Sequence, residues 1–272
     1  MLRWFESRGI SQGTLDALDV SEGPEYMPQT NQTENTIKFN YHMGGELINV
    51  KYRDGRKNFK LYKGAEKIFY NVDSIVGYDW CVITEGEIDA LSLHEAGVKP
   101  VVSVPNGATL SSNNLDYLDN CIDYFEDKQK VILAIDNDEA GQALQHELIR
   151  RLGAEVCHVV DLKDCKDANE YLVKYGKEDL ANIVAIAQPV PLEGVSTLKD
   201  FEEELKDFVK HGFKPGYQIG LDNFDKVFST YTGQFITVTG IPSSGKSDFV
   251  AVSYTHLRAH ETSLNLVCRL LL

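Results

Sequence analysis

The chain has 272 residues, of which 43% are hydrophobic and 25% are charged, a balance typical of one large or two modest globular domains. No apolar run approaches the roughly 20 residues of a membrane-spanning helix, and residues 1–9 lack the apolar core of a secretion signal. The five cysteines include no pair at CxxC spacing, which disfavours a structural zinc site and a disulfide framework. We therefore expect a cytoplasmic protein with reduced thiols and no membrane contact.

The net charge of −14 argues against a nucleic-acid-binding protein, but the charge is unevenly distributed. Between residues 38 and 67, eight basic residues stand against three acidic ones, a local charge of +5. Such a basic segment suits contacts with phosphate groups whatever the total charge. On charge alone, a solvated strand pair with lysines along its edge explains the segment equally well.

The first third of the chain predicts a small α+β unit. Residues 4–18 have the spacing of short helices, and residues 21–35 are rich in loop-forming residues. Strand-like runs follow at residues 36–41, 47–52 and 58–62, separated by Gly-Gly and Asp-Gly turns. These features predict a short meander that carries the basic segment.

From residue 79 the pattern alternates between short apolar runs and helical segments. The predicted strands are residues 80–84, 100–104, 131–135 and 155–160, and the predicted helices are residues 87–96, 111–125, 139–152 and 169–175. Four apolar strands separated by helices predict an α/β domain in which a four-stranded parallel sheet is flanked by helices on both faces.

Acidic residues follow three of these four strands. They are Glu85 after the first strand, Asp136 and Asp138 after the third, and Asp161, Asp164 and Asp167 after the fourth. Because ligands bind outside the carboxyl ends of parallel strands, these carboxylates should converge on one place. Clustered carboxylates need a cation, and Mg²⁺ prefers oxygen ligands and substrate phosphates. The pattern predicts a magnesium site for phosphoryl or nucleotidyl transfer, whereas a single acid after a strand is usually a helix cap.

At these residues the sequence resembles the Toprim domain, the catalytic module of DnaG-type primases, topoisomerases and related nucleases. The resemblance spans about residues 79–175 and rests on three motifs in the family's order. They are a glutamate motif at residues 83–91 (ITEGEIDAL), a DxD motif at residues 134–141 (AIDNDEAG) and a closing stretch at residues 166–172 (KDANEYL). The last is similar to that of phage primase–helicases and mitochondrial Twinkle.

The resemblance implies a role for each acid of the motifs. Glu85 would be the general acid/base or a metal ligand, and Asp136 and Asp138 would be catalytic metal ligands. Asp167 would complete the metal site, and the supporting residues would be Asp89 and Asn169. The implied cofactor is Mg²⁺, with Mn²⁺ as an alternative. The turn at residues 105–108 resembles the family's loop near the site, although it also reads as a simple turn.

Upstream, residues 51–60 resemble the basic subdomain that precedes Toprim in these primases and holds template and incoming nucleotide. The resemblance implies that Lys51, Arg53 and Lys60 contact nucleic acid.

Residues 240–247 (GIPSSGKS) fit the phosphate-binding loop GxxxxGK[ST], between a strand predicted at residues 235–239 and a following helix. In such a loop, backbone N–H groups surround the phosphates, the lysine reaches the outer phosphates and the serine binds Mg²⁺. The predicted nucleotide-binding residues are Gly240, Ser243, Ser244, Gly245, Lys246 and Ser247. The surrounding sequence resembles the entry to a DnaB-type, RecA-like helicase domain, which implies ATP or another NTP as ligand.

The expected organisation follows from these segments. It comprises a basic N-terminal primase subdomain (residues 1–78), a Toprim domain (79–187), a linker and charged helix (188–214), the incomplete start of a RecA-like domain (215–251) and a non-native tail (252–272). The tail is similar to translated sequencing adapter, so its histidines and cysteine are not interpreted as metal ligands. A phosphate-binding-loop NTPase needs a further strand that ends in an acid, so we expect this fragment to be inactive as a helicase.

Three functions are compatible with the sequence. The first is a DNA primase–helicase whose nucleotidyltransferase half makes RNA primers on single-stranded DNA beside other replication proteins, and a phage or bacterial origin fits it. The second is a Twinkle-like helicase whose Toprim half only binds DNA, which the lack of a zinc module favours. The third is a Toprim nuclease or topoisomerase. For the full-length parent we expect a hexameric ring, and for the fragment a monomer.

Overall fold

The computed structural model contains two compact units, Met1–Val195 and Ser196–Leu272. It describes residues 2–107, 115–191, 201–212, 216–231 and 233–260, with side chains up to residue 255. None of the helices in these ranges is long and apolar enough to cross a membrane.

The first unit begins with two short helices and an antiparallel sheet. The helices are α1 (Leu2–Glu6) and α2 (Gln12–Ala17), and the strands are β1 (Val20–Met27), β2 (Gln32–Met43), β3 (Glu46–Arg53) and β4 (Phe59–Leu61), in the spatial order β1-β2-β3-β4. The predicted meander is confirmed as β2 to β4. Its buried Phe39 and Tyr41 share one hydrophobic core with the parallel strands that follow.

The prediction of a loop over residues 21–35 is wrong, because most of that segment forms β1 and the start of β2. Pro24 pairs with Asn35 inside β1. A proline cannot donate a ladder hydrogen bond, so it is tolerated in an edge strand such as β1, which pairs only with β2 among the described strands. The glycine and proline that suggested a loop therefore lie in the one type of strand that accepts them.

A second, mostly parallel sheet forms the other half of this unit. Its strands are β5 (Trp80–Thr84), β6 (Val101–Ser103), β7 (Lys130–Ala134), β8 (Cys157–Val159) and β9 (Gln188–Pro189), in the order β6-β5-β7-β8-β9. Strands β5 to β8 are parallel, which confirms the four-stranded parallel sheet. The short β9 adds an antiparallel edge within the segment expected to be linker.

Helices cover this sheet. Because β5 to β8 are parallel, the carboxyl ends of these four strands lie at one edge. The helices are α3 (Glu87–Glu95), α4 (Asp116–Asp119), α5 (Glu139–Leu152), α6 (Ala168–Tyr175) and α7 (Lys177–Ala185), with short 3-10 helices at Val72–Ile75 and Ile122–Tyr124. The helix predicted at residues 111–125 is shorter than expected, since α4 and a 3-10 turn replace it over the described part. Its first residues, 111–114, lie outside the described ranges.

The second unit contains α8 (Glu202–His211), α9 (Asp222–Asp225) and α10 (Lys246–His260). The charged helix α8 buries none of its residues, as expected for a solvated helix. The strand predicted at residues 235–239 is not formed in the described part of the chain, and Phe235 is 95% exposed. A strand forms only with a neighbour to accept its hydrogen bonds, which apolar composition alone cannot supply.

A glycine at the start of α5 fixes the course of the chain after β7. A Cβ atom on Gly141 would lie 2.1 Å from the backbone oxygen of Asp136. We predict that Gly141→Ala lowers the free energy of unfolding by about 1–3 kcal/mol through overpacking. Gly13→Ala is the matched control, because its Cβ would meet nothing closer than 3.8 Å and should stabilise α2 by up to about 1 kcal/mol. Urea unfolding measures both, and equal effects of the two substitutions would contradict the prediction.

Candidate nucleic-acid and metal site

A cleft of about 430 Å³ lies between the antiparallel sheet and the carboxyl edge of the parallel sheet. One wall is acidic and contains Glu85, Asp89, Asp136 and Asp167. The other wall is basic and contains Arg8, Lys51, Arg53 and Lys60. The structure thus brings residues of the predicted metal site and of the predicted nucleic-acid site into one cavity.

Two of the acids come from the ends of adjacent parallel strands. Glu85 follows β5 directly, and Asp136 lies two residues beyond β7, which pairs with β5. Burial, followed by the charges of Glu85 and Asp167, raises the pKa of Asp136 to about 7. The positive charge of Lys166 lowers that pKa, but by less than burial and the two acids raise it. Like charges are therefore held close together here without full compensation.

Asp89 lies one helical turn from Glu85 and is 8% exposed. Burial raises its pKa well above the ordinary value, and the charges of Asp167 and Asp136 raise it further. The backbone N–H of Asn169 donates to Asp89 Oδ1 at 3.1 Å, which opposes that rise. A Cβ atom on Gly86 would lie 2.9 Å from Asp89 Oδ2, so the glycine of the glutamate motif leaves room for this carboxyl group.

Two further acids of the motifs are helix caps as well as site residues. Asp138 Oδ1 accepts from the N–H of Gly141 at 2.9 Å and begins α5. Asp167 Oδ1 accepts from the N–H of Glu170 at 2.7 Å and begins α6. Backbone hydrogen bonding, first from Gly141, lowers the pKa of Asp138 and favours its charged form. Each of these carboxylates therefore uses one oxygen in its cap.

The other acids that follow the fourth strand do not line the cleft. Asp164 pairs with Lys174 and accepts from the Tyr175 hydroxyl, and these hydrogen bonds lower its pKa to about 2. Asp161 accepts from the N–H of Lys163 and lines a separate cavity beside α5. The expected convergence of acids from the three strand ends therefore holds for Asp167 but not for these two.

The acidic wall suits a divalent cation that also binds phosphate. Among the described residues, no group of three or more His, Cys, Asp or Glu side chains is arranged to hold a metal ion by itself. Mg²⁺ does not require such a cage, because it is usually held by one or two carboxylates, several waters and substrate phosphates. Burial and the charges of Glu85 and Asp167 raise the pKa of Asp136, and a cation bound beside these carboxylates would favour its charged form.

The basic wall is tied into the fold by specific contacts. Lys51 is 8% exposed, and its ammonium lies 2.7 Å from Glu87 Oε1. The Tyr41 hydroxyl donates to the same carboxylate oxygen. Lys60 donates to Glu25 Oε1 at 2.6 Å and to the Tyr26 carbonyl. These lysines are therefore partly neutralised and held in place, which a solvated strand edge would not require.

The arginines of the basic wall have no carboxylate within ion-pair distance in the described part of the chain. The guanidinium groups of Arg8 and Arg53 each lie 4.5 Å from the centre of the Trp4 ring. Arg8 donates to the amide oxygen of Asn169 at 2.8 Å, a neutral acceptor. Burial, then the charge of Arg8, lowers the pKa of Arg53. Two guanidinium groups that face the cleft without an ion pair to a described carboxylate make this wall attractive to anions.

Sequence reasoning missed Arg8 and Glu87. Arg8 reaches the site through Asn169, which is 161 positions away in the chain, so no local pattern could have found it. Glu87 stands inside the glutamate motif, yet its partner Lys51 is 36 positions upstream in a different sheet. Only the fold brings these pairs together.

The predicted phosphate-binding loop lies in the second unit. Lys246 begins α10, and its ammonium donates to the carbonyls of Gly240 and Ile241 at 3.0 and 2.8 Å. Ser243 and Gly245 have positive φ angles of 60° and 79°. The lysine is thus folded over a tight turn at the start of a helix.

Part of the chain matches a known protein family, and its first unit has a known fold. Residues 82–172 match the Toprim-like family. The whole first unit has the α/β fold of primase RNA polymerase domains, an antiparallel N-terminal sheet followed by a mostly parallel Toprim sheet. The first unit therefore has the fold of primase RNA polymerase domains, and residues 82–172 within it are similar to the Toprim-like family.

Relatives of this chain include a Twinkle homolog and a phage helicase/primase. The chain is 35% identical to the Arabidopsis thaliana Twinkle homolog protein, chloroplastic/mitochondrial, over 91% of its own length and 37% of that protein. It is 32% identical to the DNA helicase/primase of Enterobacteria phage T3, over 76% of its length and 37% of that protein. The chain thus spans little more than a third of either relative.

Solved primase structures have a fold similar to that of this chain. The primase fragment of the bacteriophage T7 primase–helicase superposes with a TM-score of 0.56 at 28% identity, over 66% of this chain and 72% of that one. The RNA polymerase domain of Mycobacterium tuberculosis primase superposes at 0.54 with 15% identity, a likeness of fold alone.

The raised pKa of Asp136 predicts a specific dependence of stability on pH. In the unfolded chain the group titrates near pH ~4, whereas in the fold its pKa is about 7. The folded state therefore binds the extra proton between these values, and this group destabilises the fold as pH rises through the window. Without divalent cations, we expect Asp136→Asn to gain stability relative to the wild type from pH 4 to 7, by at most about 1.4 kcal/mol per pH unit.

Denaturant unfolding at each pH in a chelating buffer measures this difference. Above pH 7 the difference should be constant, since both states are then ionised. A difference that does not change between pH 4 and 7 would contradict the assigned environment of Asp136.

Proposed function

We propose that this chain is the primer-synthesising part of a primase–helicase and that its first unit makes short RNA primers on single-stranded DNA with Mg²⁺ or Mn²⁺. The observation that carries the proposal is the single cleft in which acids at three strand ends face Arg8, Lys51, Arg53 and Lys60. One wall suits a metal-bound triphosphate, and the other suits the phosphates of a polynucleotide.

The residues of the acidic wall divide the chemistry of nucleotidyl transfer between them. Asp136 and Asp138 would hold the cation, with Glu85 and Asp167 as further ligands, and the bound metal would neutralise charge on the transferring phosphate. Glu85 would accept the proton of the attacking 3′-hydroxyl as the new phosphodiester bond forms and pyrophosphate leaves. Asn169 hydrogen-bonds to Asp89 and Ser92 and would hold the first turns of α3 against α6, so that Glu85 keeps its position.

The basic wall would orient the two substrates. Lys51 is fixed by Glu87, and Arg53 by Trp4, so neither has to be ordered when phosphate binds. The related bacteriophage T7 structure contains primase domains bound to an RNA/DNA hybrid and dTTP together with a DNA polymerase. By analogy, single-stranded DNA, NTPs and a replicative polymerase are the proposed partners of this chain.

For the second unit, we propose that the loop of residues 240–247 binds NTP in a full-length helicase. The Lys246 contacts support this role, because nucleotide phosphates would replace the carbonyls that this ammonium now contacts. The similarity to the Arabidopsis Twinkle homolog also extends beyond the first unit, since it covers 91% of the chain. DNA unwinding would be carried out by a hexameric ring of such nucleotide-binding units.

A Twinkle-like helicase, whose Toprim half binds DNA without synthesis, is the second candidate. The identity to the Twinkle homolog favours it. The two candidates predict the same affinity for single-stranded DNA and differ only in the chemistry at Glu85 and Asp136.

Primer synthesis by the 272-residue chain separates them. On mixed single-stranded templates with NTPs and Mg²⁺ or Mn²⁺, we expect short RNA products. Asp136→Asn and Glu85→Gln should each reduce the yield by at least about 100-fold, because each removes a charge needed at the reacting phosphate or its proton acceptor. Asp164→Asn is the matched control, since that carboxylate lies outside the cleft, and it should leave the yield unchanged.

Two outcomes would count against the proposed primer synthesis. Absence of RNA product together with retained DNA binding would support the Twinkle-like candidate. An equal loss in Asp164→Asn and Asp136→Asn would show that the activity does not depend on the acidic wall.

A further inference from the structure

Lys166 stands at the acidic wall in the place where a cation is expected. Its ammonium lies 3.1 Å from Asp138 Oδ2 and 3.6 Å from Asp136 Oδ2. It therefore bridges the two aspartates of the DxD motif, which the proposed function assigns to a divalent metal. No role follows for this lysine from the motif in which it stands.

The backbone of Lys166 is fixed on both sides. Its N–H donates to Glu170 Oε2 at 2.7 Å, and its carbonyl accepts from the N–H of Asn137 at 2.8 Å. The second bond ties the loop before α6 directly to the loop that carries the DxD motif. The fold thus holds the base of this side chain beside the two carboxylates.

The side chain itself has freedom to leave. It is 58% exposed, in contrast to the 15% of Asp136. A groove beside the cleft opens next to it, lined also by Trp4, Ser7 and Arg8. The ammonium can therefore move away from the carboxylates without disturbing the core, while its backbone remains in place.

A single ammonium compensates the acidic wall only in part. Asp136 shares the cleft with Glu85, Asp89 and Asp167, so the one positive charge of Lys166 faces several carboxylates. A divalent cation brings twice that charge and binds carboxylate oxygens directly. It should therefore compete successfully for the same two oxygens, and an ammonium that stayed within a few ångströms would repel it.

We propose that Lys166 is an internal counter-ion of Asp136 and Asp138, and that a divalent cation entering the site displaces its ammonium. The inference rests on the proposed metal-dependent function, since it takes the DxD pair as metal ligands. Without metal, Lys166 keeps the two carboxylates from repelling each other. With metal, the ammonium moves away from the two carboxylates toward solvent.

Metal affinity gives the first test, with Mn²⁺ as the probe and the full 272-residue chain. We expect Lys166→Met to bind Mn²⁺ about tenfold more tightly than the wild type, because the ion no longer has to displace a competing charge. Lys174→Met is the matched control, because that lysine pairs with Asp164, and its Mn²⁺ affinity should equal that of the wild type. The paramagnetic resonance signal of free Mn²⁺ measures all three affinities.

Chemical labelling of lysine amines gives a second, direct readout. A paired ammonium reacts slowly, so Mg²⁺ should raise the acetylation rate of Lys166 several-fold while that of Lys174 stays constant. Peptide mass spectrometry follows both residues in one sample. Retention of the slow rate in saturating Mg²⁺ would show that the ammonium stays with the carboxylates and would overturn the proposal.

The result is distinguishable from the outcome of the primer assay. Unchanged or weaker Mn²⁺ binding by Lys166→Met overturns the counter-ion role and leaves primer synthesis standing. Tighter Mn²⁺ binding by Lys166→Met in a chain that makes no primer supports the counter-ion role and contradicts the proposed primer synthesis. A wild-type chain that binds no Mn²⁺ overturns the counter-ion role together with its metal-dependent premise.

Discussion

Repulsion among carboxylates at the carboxyl edge of the parallel sheet is the constraint on which the rest of the site depends. The fold places Glu85, Asp136 and Asp167 in one cleft, and burial strengthens their repulsion. Local features make the arrangement tolerable. Asp167 in the cleft and Asp138 beside it each accept a hydrogen bond from the backbone of the helix that follows, and Gly86 leaves space for the Asp89 carboxyl group. The remaining negative charge is what a metal ion and its phosphates would use.

The antiparallel sheet supplies the opposite charge across the cleft. Lys51 reaches the cleft through a buried pair with Glu87, a residue of the same motif that carries Glu85. Separating the two sheets would leave each of these buried charges without its partner, which costs free energy. The pair therefore joins the two sheets beside the cleft. Arg8 adds a second link through Asn169, which also contacts Asp89 by its backbone. The cleft is therefore a product of both halves of the first unit, and neither half contains it alone.

The sequence predicted the parts of this site that follow local rules. Strand ends in an α/β sheet share one edge, so Glu85 and Asp136 could be placed together from the chain order alone. Contacts between distant segments could not, because nothing near Lys51 or Arg8 indicates Glu87 or Asn169. Composition misled in two places: Pro24 suggested a loop where an edge strand forms, and the apolar run at residues 235–239 suggested a strand where the described chain provides no partner.

The central claim is that one cleft binds a divalent cation on its acidic wall and phosphate on its basic wall. A crystal structure of the chain with Mn²⁺ and an NTP, with the metal located by its anomalous scattering, tests this claim most directly. The account predicts a Mn²⁺ peak at about 2.2 Å from an oxygen of Asp136. It also predicts triphosphate oxygens between that ion and the side chains of Lys51 and Arg53. A metal bound away from Asp136, or a triphosphate bound only at residues 240–247, would contradict it.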